Sequence, residues 1–114
     1  MDDRLAVRFG RSGEARAGEA LLVEGEAPVP PGHPVARFRL RAGLFGHPVG
    51  CACCAPRGPV AEALGRLFLA RARGEVAFFH AVVAVTATPA GEAAVRAALA
   101  EDQVSAGRFR LAQP

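Results

Sequence analysis

Three cysteines fall within one stretch of five residues, and the chain contains no other thiol. They are Cys51, Cys53 and Cys54, in the segment Gly-Cys-Ala-Cys-Cys. A disulfide between residues this close would close a very small and strained loop, because native bridges join Cα atoms about 4.4 to 6.8 Å apart with restricted dihedral angles. Three thiolates on one turn can instead converge on a single soft ion such as Zn²⁺, Cu⁺, Co²⁺ or an iron centre. The spacing therefore predicts a metal site rather than a structural disulfide.

Three thiolates leave a four-coordinate ion one ligand short. The nearest candidate is His47, because imidazole is a common zinc ligand. An incomplete set of ligands would also suit a site that exchanges or transfers its metal. His33 lies in a proline-rich loop and is predicted to face solvent. His80 lies in an apolar run and is predicted to be a strand-edge or hydrogen-bonded core residue. The predicted metal ligands are therefore Cys51, Cys53, Cys54 and His47.

The residues after the cysteines favour the thiolate form. Arg57 precedes Gly58-Pro59, which reads as a helix start with proline at the first helical position. A guanidinium and a helix N-terminus both lower a thiol pKa, since each stabilises the thiolate. The alternative is that the cysteines are small buried apolar residues with no chemistry. Their clustering favours metal or redox chemistry.

Beyond the cysteines, apolar residues recur in patterns typical of alternating strands and helices. Residues 59–73 carry apolar side chains at helical spacing and precede Gly74, which predicts an amphipathic helix ended by glycine. Thr88 and Pro89 are a typical N-cap and first-turn pair for a second helix. The predicted strands are residues 35–41, 79–85 and 107–111.

The order strand, helix, strand, helix, strand is typical of an α/β domain. We therefore predict an α/β fold, a single three-layer domain with a mostly parallel sheet and at least two helices. Within residues 1–114, residues 1–34 are predicted to be an irregular N-terminal part with short strands at 5–9 and 21–23. Residues 35–114 form the predicted βαβαβ-like part.

Composition excludes several functions. All 14 basic residues are arginine, and the net charge is +3. A Walker A phosphate loop needs a lysine, and the sequence has none. Eleven acidic residues dilute the arginines, so nucleic-acid binding is not expected. The most hydrophobic run is about 12 residues long, whereas a bilayer span needs ~20, so we expect no membrane segment and no leader. A cytoplasmic location follows, and it would keep the thiols reduced.

The stretch from Gly50 to Leu111 resembles the CobW-type family of metal-handling GTPases, also called the cobalamin-synthesis-protein family. That family carries a metal-binding Gly-Cys-x-Cys-Cys motif followed by an arginine and a helix, as residues 50–59 do here. A hydrophobic strand with a downstream proline follows in residues 82–89, and an Arg-Phe-x-Leu segment in residues 108–111. The resemblance implies part of a P-loop GTPase fold and a zinc, cobalt or other thiophilic metal on the cysteines.

The chain lacks the residues of that family at the positions that nucleotide chemistry requires. Ala84 or Val85 stands where the family has an acidic residue, and the candidate phosphate loop, residues 10–13, lacks lysine. Without these groups no GTPase activity is expected. Glu24 and Glu26 are interpreted as loop charges. The resemblance therefore implies a non-catalytic protein of metal trafficking or sensing.

Two other functions remain open. The chain could be a regulatory or interaction module that docks on a full-length homologue, with vestigial cysteines, or a thiol redox protein. Residues 35–41 and 108–111 alternate arginine with apolar residues and are predicted to be edge strands of the sheet. Because an uncovered edge can pair with another strand, we expect a homodimer or a complex with a larger homologue.

Overall fold

A computed structural model describes residues 2–40 and 58–112. This part of the chain contains five strands, three α-helices and one short 3₁₀ helix, Ser12–Glu14. In chain order the strands and α-helices are β1 (Leu5–Phe9), β2 (Glu19–Glu24), β3 (Val35–Phe38), α1 (Pro59–Ala72), β4 (Ala81–Val85), α2 (Pro89–Glu101), α3 (Gln103–Arg108) and β5 (Phe109–Leu111).

All five strands belong to one parallel sheet, in the order β3-β2-β4-β1-β5. β4 lies at the centre, with β2 on one side and β1 on the other. Parallel neighbours need crossover connections, and α1 supplies one before β4 while α2 and α3 supply another before β5. The predicted α/β fold class, with a mostly parallel sheet and at least two helices, is confirmed.

The larger core lies between the sheet and the helices. Alternate strand residues point to this face, because successive side chains of a strand point to opposite faces. β1 gives Val7 and β4 gives Val82, and both are fully buried. α1 contributes Leu64 and α2 contributes Val95 to the same core. Burial of these side chains fixes which face of each helix meets the sheet.

The opposite face of the sheet has a smaller core. Leu21 and Val23 of β2 and Val83 of β4 form it, and Ala15 and Val29 pack against them. Ala15 lies in the connection between β1 and β2, and Val29 lies in the connection between β2 and β3. In the described residues, therefore, connecting segments rather than α-helices cover this face as the third layer.

The predicted helix ends are confirmed. Pro59 opens α1, and Gly74, just beyond its end, has a φ of 71°, the left-handed conformation that favours glycine. The Thr88 hydroxyl accepts a hydrogen bond of 2.9 Å from the backbone N–H of Gly91, as an N-cap should. The short helix α3 was not predicted. The Asp102 carboxylate starts it by accepting a hydrogen bond of 2.9 Å from the N–H of Ser105.

The N-terminal third takes a larger part in the fold than predicted. Both short strands exist, and β1 and β2 each pair with a neighbour on both sides. The description of residues 1–34 as an irregular part was therefore wrong. β2 is buried on both faces, so its apolar run lacks the alternation that marks a half-buried strand.

Both arginine-bearing strands lie at the edges of the sheet, as predicted. β3 and β5 each have one neighbouring strand among the described residues. No helix in residues 2–40 and 58–112 is long and apolar enough to cross a lipid bilayer.

Val35 offers a test of pairing between copies through β3. It lies on this edge strand and is 38% exposed, while Val104 is 44% exposed and lies on the helix α3 rather than on a strand. Lysine on an edge strand opposes strand pairing. We expect light scattering to show a dimer for the native chain and for Val104→Lys, and a shift toward monomer for Val35→Lys. A monodisperse native monomer at high concentration would contradict this expectation.

Candidate functional site at the carboxyl edge of the sheet

The predicted metal ligands Cys51, Cys53, Cys54 and His47 lie outside the described residues. Within residues 2–40 and 58–112, no group of three or more His, Cys, Asp or Glu side chains could hold a metal ion. The described chain stops at Leu40, just beyond β3, and resumes at Gly58, the N-cap of α1.

Both of these flanking residues lie beside α2. Leu40 lines an open cleft of about 570 Å³ together with Thr88 and Ala90 at the start of α2. Gly58 lines a second cleft of about 400 Å³ that is also lined by Ala94 and Ala97. The first cleft lies where β2, β3 and β4 end. In open parallel α/β sheets, ligands bind outside these carboxyl ends of the strands.

Glu24 is the central polar residue of the first cleft. It is the last residue of β2, and its carboxylate reaches the turn between β4 and α2. Oε1 accepts hydrogen bonds from the backbone N–H of Ala87 at 2.7 Å and of Thr88 at 3.0 Å, and Oε2 accepts one from the Thr88 hydroxyl at 2.8 Å. A carboxylate at a helix N-terminus is also favoured by the helix dipole. Glu24 therefore locks the end of β2 to the start of α2.

These contacts keep Glu24 ionised. Desolvation raises its pKa, but the hydrogen bonds from Ala87 and Thr88 outweigh that effect, so the pKa of Glu24 lies below the ordinary value of 4.5. Gly91 leaves room for this carboxylate, because a Cβ added there would collide with Glu24 Oε1. The interpretation of Glu24 as a loop charge was wrong, since it is the best-connected carboxylate at this edge. Glu26 fits that interpretation, because its exposed side chain pairs only with exposed Arg39 among the described residues.

The candidate phosphate loop after β1 holds a second carboxylate. Glu14 Oε1 accepts a hydrogen bond of 2.8 Å from the backbone N–H of Arg11, and a Cβ on Gly10 would lie 2.8 Å from the same oxygen. Phosphate loops bind their anion through backbone N–H groups of this kind. Here the Glu14 carboxylate, and not a bound anion, accepts the hydrogen bond from the Arg11 N–H.

No protein-family model, curated protein or solved structure matches this chain. The resemblance to the CobW-type family therefore stays a prediction that rests on the residues quoted for it.

The end of β4 offers no acidic side chain. Ala84 is fully buried in the helix-facing core, and Val85 packs against the core on the opposite face. A carboxylate reaches the turn after this strand from Glu24 of the neighbouring strand β2. A sequence search for an acid at the end of β4 could not find it. Its signal was a glutamate that directly follows the apolar run of β2.

The remaining histidines differ from their predictions. His33 was predicted to face solvent, but its Nδ1 lies 2.8 Å from the carbonyl oxygen of Glu19 and ties the proline-rich connection to β2. His80 was predicted to lie in the core or at a strand edge. Its side chain is exposed, and its backbone N–H donates to the carbonyl of Gly18 at 2.8 Å.

A second well-connected carboxylate, Glu19, lies at the opposite end of β2. Its side chain is buried and forms an ion pair with Arg8 of β1, and it accepts a hydrogen bond of 2.7 Å from the backbone N–H of Arg16. Desolvation raises the pKa of Glu19, but these partners outweigh it and the pKa is lowered. With its oxygens committed to these groups, we assign Glu19 to the architecture rather than to a site.

Proposed function

We propose that this chain is a non-catalytic metal-binding protein that carries a thiophilic transition metal, zinc foremost, in metal trafficking or sensing in the cytoplasm. The ligands are Cys51, Cys53 and Cys54, with His47 as the candidate fourth. The observation that carries the proposal is the presence of every thiol of the chain within one five-residue motif. A donor set of three sulfurs and one imidazole suits Zn²⁺ or Co²⁺ and does not suit Mg²⁺ or Ca²⁺.

Two features of the described residues support the proposal. Leu40, the described residue closest to the motif on its N-terminal side, lines the cleft at the carboxyl edge of the sheet. The backbone N–H groups of Arg11, Ala87 and Thr88 at this edge already bind the carboxylates of Glu14 and Glu24. Carboxylates in these positions repel a nucleotide phosphate, which supports a binding protein over a phosphoryl-transfer enzyme.

Metal loading of the native protein tests the proposal. Protein purified without oxygen and titrated with Co²⁺ should bind about one equivalent and develop the intense near-ultraviolet charge-transfer absorption of thiolate ligands. Zn²⁺ should then displace Co²⁺ and bleach the spectrum, since zinc binds such sites more tightly. Absence of a thiolate band at saturating Co²⁺ would contradict the proposal.

A nucleotide titration tests the non-catalytic part. We expect no micromolar GTP binding and no hydrolysis, because the chain has no lysine for the phosphates and Glu14 and Glu24 occupy the nearby N–H groups. Calorimetry with Mg²⁺–GTP at low ionic strength gives the measurement. Micromolar affinity of the native protein for Mg²⁺–GTP would overturn the assignment.

A further inference from the structure

A cleft beside the edge strand β5 concentrates guanidinium groups. It has a volume of about 470 Å³, and its charged lining residues are Arg4, Arg96, Arg110 and Asp2. Leu99 of α2 also lines it. The three arginines come from the residue before β1, from α2 and from β5, so the fold rather than one helix face brings them together. We call this the arginine cleft.

Two of the three guanidiniums already have partners. Arg4 donates from Nε and Nη2 to the Asp2 carboxylate, at 2.8 to 3.2 Å, and from Nη1 to the carbonyl of Ala106 at 3.1 Å. Arg96 donates from Nε and Nη2 to Glu92, at 3.1 and 2.9 Å, and its guanidinium carbon lies 4.7 Å from the centre of the Phe9 ring. These contacts hold both side chains in place.

Arg110 has a weaker partner, a long ion pair with Asp2. Its Nε is buried and makes no hydrogen bond, and the nearest carboxylate oxygen, Asp2 Oδ2, lies 3.7 Å away, beyond hydrogen-bond length. Asp2 is already held by Arg4 through both oxygens. A buried donor without an acceptor is unfavourable, and a guanidinium presents its donors in a planar fork that matches carboxylate and phosphate oxygens. The cleft therefore has one guanidinium, on a side chain that is 35% exposed, whose Nε makes no hydrogen bond, and two fixed cations lie beside it.

We propose that the arginine cleft binds a small oxyanion, a carboxylate or a phosphate, on the guanidinium of Arg110, with Arg96 and Arg4 supplying positive charge. Asp2 is the internal anion that competes with this ligand, because it is the one carboxylate among the lining residues. This site is independent of the cysteines and does not rest on metal binding.

Titration of the full chain with inorganic phosphate and, separately, with malonate tests the proposal. At constant ionic strength and without added metal, the ¹H–¹⁵N signal of Arg110 Nε should shift and saturate below about 10 mM of at least one anion. Tighter binding of phosphate or of malonate identifies which oxyanion the cleft prefers. Failure of both anions to give a saturable shift would overturn the proposal.

Two matched pairs of variants localise the effect. Arg110→Ala should weaken binding at least about tenfold, while Arg73→Ala, at the exposed C-cap arginine that follows α1 and lies 4.0 Å from Glu75, should stay within about twofold. Asp2→Asn should strengthen binding about threefold or more by removing the competitor, while Asp3→Asn, which changes the same charge outside the cleft, should not. Equal effects within either pair would overturn the proposal, and the aspartate pair decides it even if Arg110→Ala fails to fold.

Discussion

The Glu24→Ala variant is expected to unfold more easily than the native protein by about 2 kcal/mol. The substitution removes the acceptor of three hydrogen bonds, from Ala87 N–H, Thr88 N–H and the Thr88 hydroxyl, and leaves the start of α2 without its anion. Denaturant unfolding gives the measurement. Glu26→Ala is the matched control, because Glu26 is 70% exposed and pairs with an exposed arginine, so its loss should cost less than about 0.5 kcal/mol. Equal effects of the two variants would contradict the role assigned to Glu24.

The Gly91→Ala substitution tests the Glu24 contact, because its effect on the free energy of unfolding should change sign when the Glu24 side chain is removed. Gly91→Ala alone should destabilise by about 1–3 kcal/mol, because its Cβ would displace the Glu24 carboxylate. In the Glu24→Ala background that collision is absent, so the same change should be neutral or stabilise by up to about 1 kcal/mol through helix propensity. Gly107→Ala is a control, since no atom lies within 4 Å of its added Cβ. Additive effects of the Glu24 and Gly91 changes would show that the two residues are not coupled.

The lowered pKa of Glu24 determines how the contribution of this residue to folding stability changes with pH. A group whose pKa is lower in the folded state stabilises the fold above its unfolded value, here 4.5, and loses that contribution as pH falls through the folded pKa. The stability difference between native protein and Glu24→Gln should therefore be constant near neutral pH and shrink below pH 4.5. A difference that grows on acidification would contradict the assignment.

Replacing Cys51, Cys53 and Cys54 together by serine is expected to reduce bound Zn²⁺ or Co²⁺ from about one equivalent to none. A serine hydroxyl is not ionised at neutral pH and is a poor ligand for a soft ion. Metal content after anaerobic loading and gel filtration gives the measurement. Ala52→Ser is the matched control, because it adds a hydroxyl to the same segment and keeps all three thiols. Stoichiometric metal in the triple variant would show that the cysteines are not the metal ligands.

The role of His47 as a metal ligand is tested with His80 as the control. His47→Ala should weaken metal affinity by about 10-fold or more if the imidazole is the fourth ligand, and His80→Ala, at an exposed histidine, should leave it unchanged. Competition with a chelator of known affinity gives the comparison. Equal affinities of native protein and His47→Ala would assign the fourth position to water or to a partner.

The regular parts of the fold could be predicted because their signals are local. Pro59 and Gly74 bracket α1, and Thr88 starts α2, since each residue type favours one end of a helix through its own backbone or side chain. The alternation of arginine with apolar residues likewise identified β3 and β5, where only one face is buried. The position of β3 and β5 at the edges of the sheet follows, because an edge strand tolerates arginine side chains.

The contacts of the candidate site could not be predicted because they join residues distant in sequence. Glu24 and Thr88 are 64 residues apart, and only the parallel register of β2 with β4 brings them together. The same holds for the arginine cleft, where Asp2, Arg96 and Arg110 meet across three elements. His33 was misjudged for a similar reason, since its partner is a strand carbonyl that the local sequence does not indicate.

The spacing of the cysteines also bears on the redox alternative. A disulfide would be strained between the adjacent residues Cys53 and Cys54, whereas Cys51 and Cys54 have the C-x-x-C spacing of dithiol redox proteins. A reversible disulfide between them would compete with metal, so thiol titration before and after loading separates the two functions. Metal binding that protects all three thiols from alkylation favours the metal site.

The most direct test of the metal-binding account is X-ray absorption at the zinc edge of the protein loaded with one equivalent of Zn²⁺. Ligation by Cys51, Cys53 and Cys54 predicts three sulfur ligands at about 2.3 Å and one nitrogen or oxygen ligand at about 2.0 Å. A shell of nitrogen and oxygen ligands without sulfur would contradict it.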